Sequence, residues 1–252
     1  MSRIKILNVE IDNISQDELL AKLKRGVLVT PNVDQIVKMQ TDREYYDIVR
    51  RAEWCVCDSK ILYLCAKVLG TPLPEAIPGS SFFPAFCDYH KDDADCRIFL
   101  LGAMKGVAQK AMECINMRIG REMVVGAYSP SYGFEKKQKE NEDIYKMINE
   151  SGANVVLVGV GCPKQEKWID AHKAKMPEVD IWLALGATID FEAGNVKRAP
   201  KIWQRLYLEW FYRFLQEPRR MYKRYFVDDP IFFWHFLKQL LVFYKNPFEP
   251  KE

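Results

Sequence analysis

Residues 154–169, with the sequence NVVLVGVGCPKQEKWI, constrain the fold of this chain more than any other stretch. A continuous apolar run ends at Gly159-Val160-Gly161, and apolar residues then resume at the spacing of a helix. Wholly apolar, β-branched runs are typical of strands that are covered on both faces in a parallel sheet. Pro163 suits the first turn of a helix. The stretch therefore predicts a buried strand that continues through a tight turn into a helix.

The turn after this strand is also the first place to expect a ligand. In open α/β sheets, ligands bind beyond the carboxyl ends of the strands, and glycines there allow the backbone to approach closely. Gly159, Gly161, Lys164 and Gln165 are therefore candidate substrate-binding residues, with Glu166 beside them. The two glycines lack the third glycine of a dinucleotide fingerprint, and the chain has no phosphate-loop GK[ST] motif. Neither a nicotinamide enzyme nor a kinase is indicated.

The rest of the chain repeats the alternation of strand and helix. Strand patterns are predicted at 4–11, 26–30, 53–58, 97–102, 122–126, 154–158 and 180–185, and helical patterns at 15–23, 33–51, 59–69, 82–89, 107–119 and 137–149. Strands separated by helical segments favour a mostly parallel sheet with helices on both faces. With 252 residues, 48% of them hydrophobic, the chain is expected to form one Rossmann-like α/β core over residues 1–195.

Residues 196–252 differ in composition and are predicted to form a helical appendage. Between residues 197 and 224, nine Lys and Arg stand against two Glu, a net charge of +7, whereas the whole chain carries +3. A cationic, aromatic, helical segment suits an anionic membrane surface, a nucleic acid or a diphosphate in the neighbouring cleft. Arg198, Arg213 and Arg220 belong to this segment. A guanidinium group can donate two parallel hydrogen bonds to the oxygens of a phosphate, which favours a role in binding a diphosphate. A solvated helix face explains the positive charge of the segment equally well.

The composition indicates a cytoplasmic protein without a bound metal. The first 15 residues lack the apolar core of a signal peptide, and no run approaches the roughly 20 apolar residues of a membrane-spanning helix. The seven cysteines include no zinc-type CxxC pair, which favours reduced thiols. The three histidines follow no ligand spacing. We expect neither a metal nor another cofactor, and self-association into a homo-oligomer stays open.

Polar residues that follow two other predicted strands are expected to meet the 164–166 turn at one edge of the sheet. Asp58 follows a buried strand and precedes a helix, so it could be a general base or the N-cap of that helix. The preference of aspartate for N-cap positions alone favours the cap. Thr30 and Asn32 could bind a base or a sugar, but Thr-Pro-Asn also forms a good turn and cap.

Several longer segments resemble a known family of enzymes. They are TPNVDQIV at 30–37, Asp58 after its strand, FLLGAMKGVAQKA at 99–111, VGVGCPKQEKWI at 158–169, and the stretch 185–220. Together they resemble the WecG/TagA/CpsF glycosyltransferases over most of the chain. The resemblance implies transfer of a sugar, of N-acetylmannosamine type or a hexose, from a UDP-sugar to a polyprenyl-diphosphate-linked amino sugar. It places the enzyme peripherally on the inner face of the cell membrane, in the synthesis of cell-surface polysaccharides such as teichoic acid or capsule.

The resemblance also implies roles for single residues. Asp58 matches the position proposed as catalytic base, Thr30 and Asn32 match the polar pair beside it, and Gln165 matches the glutamine of the Pro-Lys-Gln-Glu turn. On this basis Asp58 is favoured as the base, removing the proton of the acceptor hydroxyl as that oxygen attacks the anomeric carbon with inversion. No nucleic-acid partner is implied.

The appendage has a role of its own in this resemblance. Arg213 and Arg220 match arginines that would stabilise the UDP leaving group without a metal. The appendage would close the active site at the bilayer, with its aromatic residues against the core or the membrane.

Two departures from the family pattern lie close to the predicted base. Ser59 stands where glycine is usual, and the segment EAIPGSS around Gly79 lacks an expected arginine and aspartate. The choice of donor and acceptor sugars therefore stays open. The departures also leave an alternative open, in which the chain is a non-catalytic subunit that binds a lipid-linked intermediate or assists a partner transferase.

Overall fold

A computed structural model describes residues 2–196, 200, 203, 209–216 and 218–249, without the side chains of Glu209, Trp210, Arg213 and Arg220. Its strands are β1 Arg3–Ile6, β2 Val9–Asp12, β3 Gly26–Val29, β4 Trp54–Cys55, β5 Ile98–Gly102, β6 Val124–Tyr128, β7 Val155–Gly159 and β8 Ile181–Ala184. Strands β1 and β2 form an antiparallel hairpin. The other six form one wholly parallel sheet in the order β4-β3-β8-β7-β5-β6. The predicted α/β fold with a parallel sheet is confirmed.

The helices connect these strands and cover the sheet. They are α1 Gln16–Lys22, α2 Val33–Lys38, α3 Arg43–Arg51, α4 Lys60–Val68, α5 Gly79–Tyr89, α6 Val107–Ile119, α7 Gln138–Ser151, α8 Lys164–His172, α9 Thr188–Glu192, α10 Glu209–Gln216, α11 Pro218–Lys223 and α12 Pro230–Leu240. A π-helical turn, Arg224–Asp228, joins α11 to α12. Ser15 forms the predicted capping box with Glu18 at the start of α1.

Two hydrophobic clusters lie on opposite faces of the sheet, as alternating strand side chains require. Along β7, Val156 and Val158 face one cluster, which includes residues of α2, α3, α4, α7, α8 and α12. Val155 and Leu157 face the other, which includes residues of α1, α5, α6 and α9. Helices therefore pack on both faces, which explains why the central strands are continuously apolar.

The direction of the connections reverses in the middle of the sheet. The chain moves outward from β5 to β6, but from β7 it moves to β8, on the other side. In open α/β sheets such a reversal opens a crevice at the carboxyl ends of the two adjacent strands. That crevice lies between β5 and β7 here.

Three predicted elements differ from the structure. The strand pattern predicted at 4–11 is divided into the two strands β1 and β2 of a hairpin. The single helix expected over 33–51 is divided into α2 and α3, because Asp42 begins a new helix by accepting a hydrogen bond from the Tyr45 amide at 3.0 Å. The strand expected over 53–58 is reduced to Trp54–Cys55.

The C-terminal helix α12 packs against the α/β core. Phe232 is completely buried there. Gln239 accepts a hydrogen bond from the Leu7 amide at 2.8 Å and donates one to the Lys5 carbonyl at 3.0 Å, which ties α12 to the β1–β2 hairpin. Within the described ranges, no helix is both long and apolar enough to cross a membrane.

Candidate active site

Asp58 lies beside the turn that contains Thr30 and Asn32. The pairing between β3 and β4 continues past their ends, and the Asp58 amide donates to the Pro31 carbonyl at 3.1 Å. Thr30 is buried, whereas Asn32 and Asp58 are partly exposed. The structure therefore brings together the polar residues that follow two neighbouring strands, at the carboxyl edge of the sheet.

The Asp58 carboxylate is held by the start of another helix. Its Oδ1 accepts a hydrogen bond of 3.0 Å from the amide of Gly79, the first residue of α5. The amino end of a helix stabilises an anion, so this contact holds a carboxylate with its charge in place. The sequence-based preference for Asp58 as N-cap of the next helix is wrong, because the Ser59 hydroxyl caps α4 by accepting from the Ile61 amide at 3.2 Å.

Asn32 is fixed from two directions. It forms a capping box at the start of α2, in which its Oδ1 accepts from the Gln35 amide at 3.2 Å and its own amide donates to Gln35 Oε1 at 2.9 Å. Arg224 Nη2, from the C-terminal segment, also donates to Asn32 Oδ1 at 3.1 Å. Sequence reasoning missed this role of Arg224, because it grouped that residue with the other cations of the appendage.

Glycines leave the middle of the carboxyl edge free of side chains. A Cβ atom on Gly102 would lie 2.5 Å from the carbonyl oxygen of Gly159, and one on Gly159 would lie 2.7 Å from that of Gly186. The ends of β5, β7 and β8 therefore approach one another through backbone alone. Gly161, with φ of +90°, makes the turn that follows β7.

The turn into α8 has one outward and two inward polar side chains. Lys164 is exposed, with its Nζ 3.8 Å from Glu135 Oε1 and 4.9 Å from the centre of the Tyr132 ring. Gln165 and Glu166 are each only 1% exposed. Sequence reasoning expected all three beside the ligand, whereas the structure buries the second and third behind the turn.

The buried pair holds the turn from inside. Gln165 Oε1 accepts from the Gly161 amide at 3.2 Å, and Gln165 Nε2 donates to Glu166 Oε1 at 3.0 Å. Burial raises the pKa of Glu166 to about 7, since desolvation disfavours the carboxylate more than its hydrogen bonds favour it.

A cleft of about 410 Å³ opens at the far side of the same edge. It lies between the loops that follow β5 and β6, and its lining includes Lys105, Gln109, Tyr128, Ser129 and Ser131. This volume is within the usual range for small-molecule sites.

Three predicted substrate-binding arginines cannot be placed against this edge. Arg198 lies outside the described residues, and Arg213 in α10 and Arg220 in α11 belong to helices in which their side chains are not described. Their contact with a diphosphate stays a prediction. Among the residues whose positions are described, no three His, Cys, Asp or Glu side chains come together as a metal-binding group.

Comparison with known families identifies the family of this chain. Residues 4–246 match the model of the Glycosyl transferase WecG/TagA/CpsF family. The chain belongs to this family. It is a glycosyltransferase, as its resemblance to the family implied.

Two similar proteins carry the same name. This chain is similar to the N-acetylglucosaminyldiphosphoundecaprenol N-acetyl-beta-D-mannosaminyltransferase of Staphylococcus aureus strain MW2, with 26% identity over 229 residues, 87% of each chain. It is also similar to the enzyme of that name from Bacillus spizizenii, with 30% identity over 200 residues, 78% of this chain and 74% of the relative. The family match over residues 4–246 includes the α/β core and the carboxyl edge described above.

Proposed function

We propose that this transferase moves N-acetylmannosamine from a UDP-sugar to N-acetylglucosamine carried on undecaprenyl diphosphate, in the synthesis of a cell-surface polysaccharide. The names of both relatives contain this sugar and this acceptor. The observation that carries the proposal is the partly exposed Asp58 carboxylate, held between the Thr30–Asn32 turn and the amino end of α5.

Asp58 acts as the general base. One carboxylate oxygen removes the proton of the acceptor hydroxyl while that hydroxyl oxygen forms a bond to the anomeric carbon. The bond from the anomeric carbon to the donor's phosphate oxygen breaks at the same time, and UDP leaves with the electron pair. Attack opposite to the leaving group inverts the anomeric configuration.

The donor lies across the carboxyl edge, with its sugar at Asp58 and its nucleoside in the cleft near Gln109. Four strand spacings separate β4 from β5, a distance of about 19 Å, which is comparable to the length of an extended nucleotide sugar. Between these ends, Gly161 is partly exposed with open space where a side chain would lie, so its backbone is accessible to the diphosphate, while Gly159 brings β7 close to β8. The reversal of the connections between β5 and β7 supports the same placement.

Cations stabilise the departing diphosphate. Lys164 is exposed at the turn after β7, and Arg198, Arg213 and Arg220 are supplied by the appendage, residues 196–252. Fixed positive charges aimed at a leaving group lower the barrier without a metal ion. Thr30 and Asn32 hold the sugar end of the site in shape, and Gln165 holds the Gly161 turn beside the diphosphate.

The C-terminal segment brings the enzyme to its lipid-linked acceptor at the inner membrane face. Among the described residues, eighteen large hydrophobic side chains are exposed, and twelve of them lie between Leu215 and Phe243. This stretch also contains Arg219, Lys223 and Lys238. Exposed apolar side chains mixed with cations are typical of helices that lie in the interface of an anionic membrane.

A product assay tests the proposed function. Purified protein is incubated with a panel of UDP-sugars and a short-chain undecaprenyl-type acceptor in vesicles, with and without EDTA, and the lipid product is analysed by mass spectrometry and NMR. We expect a disaccharide with an inverted anomeric linkage from UDP-N-acetylmannosamine, at the same rate in EDTA. Absence of product from every donor, with folded protein and acceptor present, would contradict the proposal.

A further inference from the structure

Glu166 is a buried carboxylate with an incomplete set of hydrogen bonds. It lies in the first turn of α8 with 1% of its surface exposed. Its Oε1 accepts from Gln165 Nε2 at 3.0 Å and from Gln35 Nε2 at 3.3 Å, while no described residue donates to Oε2. Burying a carboxylate with an unpaired oxygen costs free energy, so stability alone does not explain this residue.

Gln35 and Gln165 connect Glu166 to two turns at the carboxyl edge of the sheet. Gln165 Oε1 accepts from the Gly161 amide at 3.2 Å, and Gln35 Oε1 accepts from the Asn32 amide at 2.9 Å. Each glutamine donates to Glu166 with its nitrogen, so its oxygen is turned toward the backbone of its own turn. One oxygen of the Glu166 carboxylate thereby orients the side-chain amides of both glutamines.

The connection crosses the sheet. Asn32 follows β3 and Gly161 follows β7, and β8 lies between these two strands. We propose that Glu166 is a positioning residue, which holds the Asn32 turn and the Gly161 turn at a fixed separation so that the sugar and the diphosphate of the donor bind in line. Its effect on catalysis rests on the glycosyl transfer proposed above, whereas its effect on the two turns does not.

The charge of Glu166 sets the strength of this connection. A charged oxygen accepts hydrogen bonds about twice as strongly as a neutral one. Facing Glu166 are Lys38 from α2, Tyr45 from α3 and Cys162 from the loop before α8. Burial raises the pKa of Tyr45 well above its usual value and that of Cys162 to about 12, so both stay neutral near pH 7 and Glu166 titrates. The turns are therefore held more firmly as the pH rises through 7.

An NMR titration tests the connection without any substrate. The backbone amide shifts of Gly161 and Asn32 are followed from pH 5.5 to 8.5 in the wild-type protein, in Glu166→Gln and in Glu192→Gln. Glu192 is a matched control, a largely buried glutamate that pairs with Arg118 at 3.1 Å. We expect both amides to titrate together near pH 7 in the wild type and in the control, and not in Glu166→Gln. Identical curves in all three proteins would overturn the proposal.

Steady-state kinetics on the same proteins test the consequence for catalysis. We expect kcat/KM for the donor to rise about tenfold through pH 7 in the wild type, as a neutral acceptor becomes charged. Glu166→Gln keeps an acceptor oxygen and should lose only this rise, whereas Glu166→Met should lose activity at every pH while remaining folded. A rise retained in Glu166→Gln would refute the role in catalysis. If the Gly161 and Asn32 amides titrate together but the wild-type protein forms no product, the proposed function is refuted. The positioning of the two turns by Glu166 would still stand.

Discussion

The backbone amide of Gly79 donates a hydrogen bond of 3.0 Å to Oδ1 of Asp58, which joins the start of α5 to the predicted catalytic base. This contact lies in the segment EAIPGSS, which the sequence comparison above expected to differ from the family pattern. A backbone amide orients the carboxylate without any help from a side chain. This segment therefore holds the carboxylate of the predicted base.

Replacing Gly79 tests this function. Proline fits the first position of a helix but has no N–H, so Gly79→Pro removes the donor to Asp58 and preserves the start of α5. Gly79→Ala is the control, because it adds the same Cβ, 3.0 Å from Leu185 Cδ2, and keeps the amide. We expect kcat/KM to fall about tenfold to a hundredfold further in the proline variant than in the alanine variant, the loss of one charge-assisted hydrogen bond. Equal activities would show that the amide does not matter.

Filling the cleft tests the placement of the nucleoside. Gln109 is exposed at the start of α6 and lines the cleft, so Gln109→Trp should block it without disturbing the core. We expect UDP affinity, measured by calorimetry, to fall by about tenfold or more. Met117→Trp changes an exposed residue later in the same helix and should leave UDP binding unchanged. Unchanged affinity in Gln109→Trp would place the nucleoside elsewhere.

Membrane association is tested with the exposed aromatic residues of the C-terminal segment. Trp234 is 54% exposed and Phe243 is 73% exposed, so replacing both with serine should not disturb the core. Because burying one such side chain is worth about 2 kcal/mol, we expect binding to anionic vesicles to weaken at least tenfold in a sedimentation assay. Met117→Ser, which removes an even more exposed apolar side chain from α6, should bind as the wild type does. Retained binding by the double variant would refute the proposed membrane surface.

The stability of the protein should depend on pH through Glu166. Its pKa rises from an ordinary value of 4.5 to about 7 on folding, so the folded state favours the neutral acid. The stability associated with the neutral form is present below pH 4.5 and is lost as the pH rises to 7. Glu166→Gln cannot ionise at this position and so does not lose this stability. The difference between its free energy of unfolding and that of the wild type should therefore increase by about 3 kcal/mol between pH 4.5 and pH 8.

Urea denaturation at several pH values measures that difference. Glu150→Gln, which alters an exposed glutamate of α7, should leave the pH dependence of stability as in the wild type. A difference between Glu166→Gln and wild type that does not change with pH would contradict the expectation. A variant that is more stable and less active would mark Glu166 as a functional rather than a structural charge.

Local patterns were sufficient to predict most elements of the fold. The apolar run before Gly159 predicted β7, the Ser15–Glu18 capping box predicted the start of α1, and the interval 107–119 predicted α6 as it is observed. These features depend on neighbours a few residues away. The break between α2 and α3 was missed because the cap at Asp42 was not recognised inside a continuous helical pattern.

The arrangement of the site depended on contacts that no local pattern contains. Nothing in Pro-Lys-Gln-Glu indicates that Glu166 turns inward, because its partner Gln35 lies 131 residues away in sequence. Arg224 bonds Asn32 across 192 residues for the same reason. The polar residues at the sheet edge could be predicted from strand ends, but the groups that hold them could not.

The most direct test of the proposed chemistry compares turnover and UDP binding in the wild-type protein and in Asp58→Asn. Asparagine keeps the shape of the side chain and an oxygen for the Gly79 amide, but it cannot take up the acceptor proton. We expect the rate of disaccharide formation to fall about 10³-fold, within the range for loss of a general base, while UDP affinity measured by calorimetry stays within about twofold of wild type. Undiminished disaccharide formation by Asp58→Asn would contradict the assignment of Asp58 as the catalytic base.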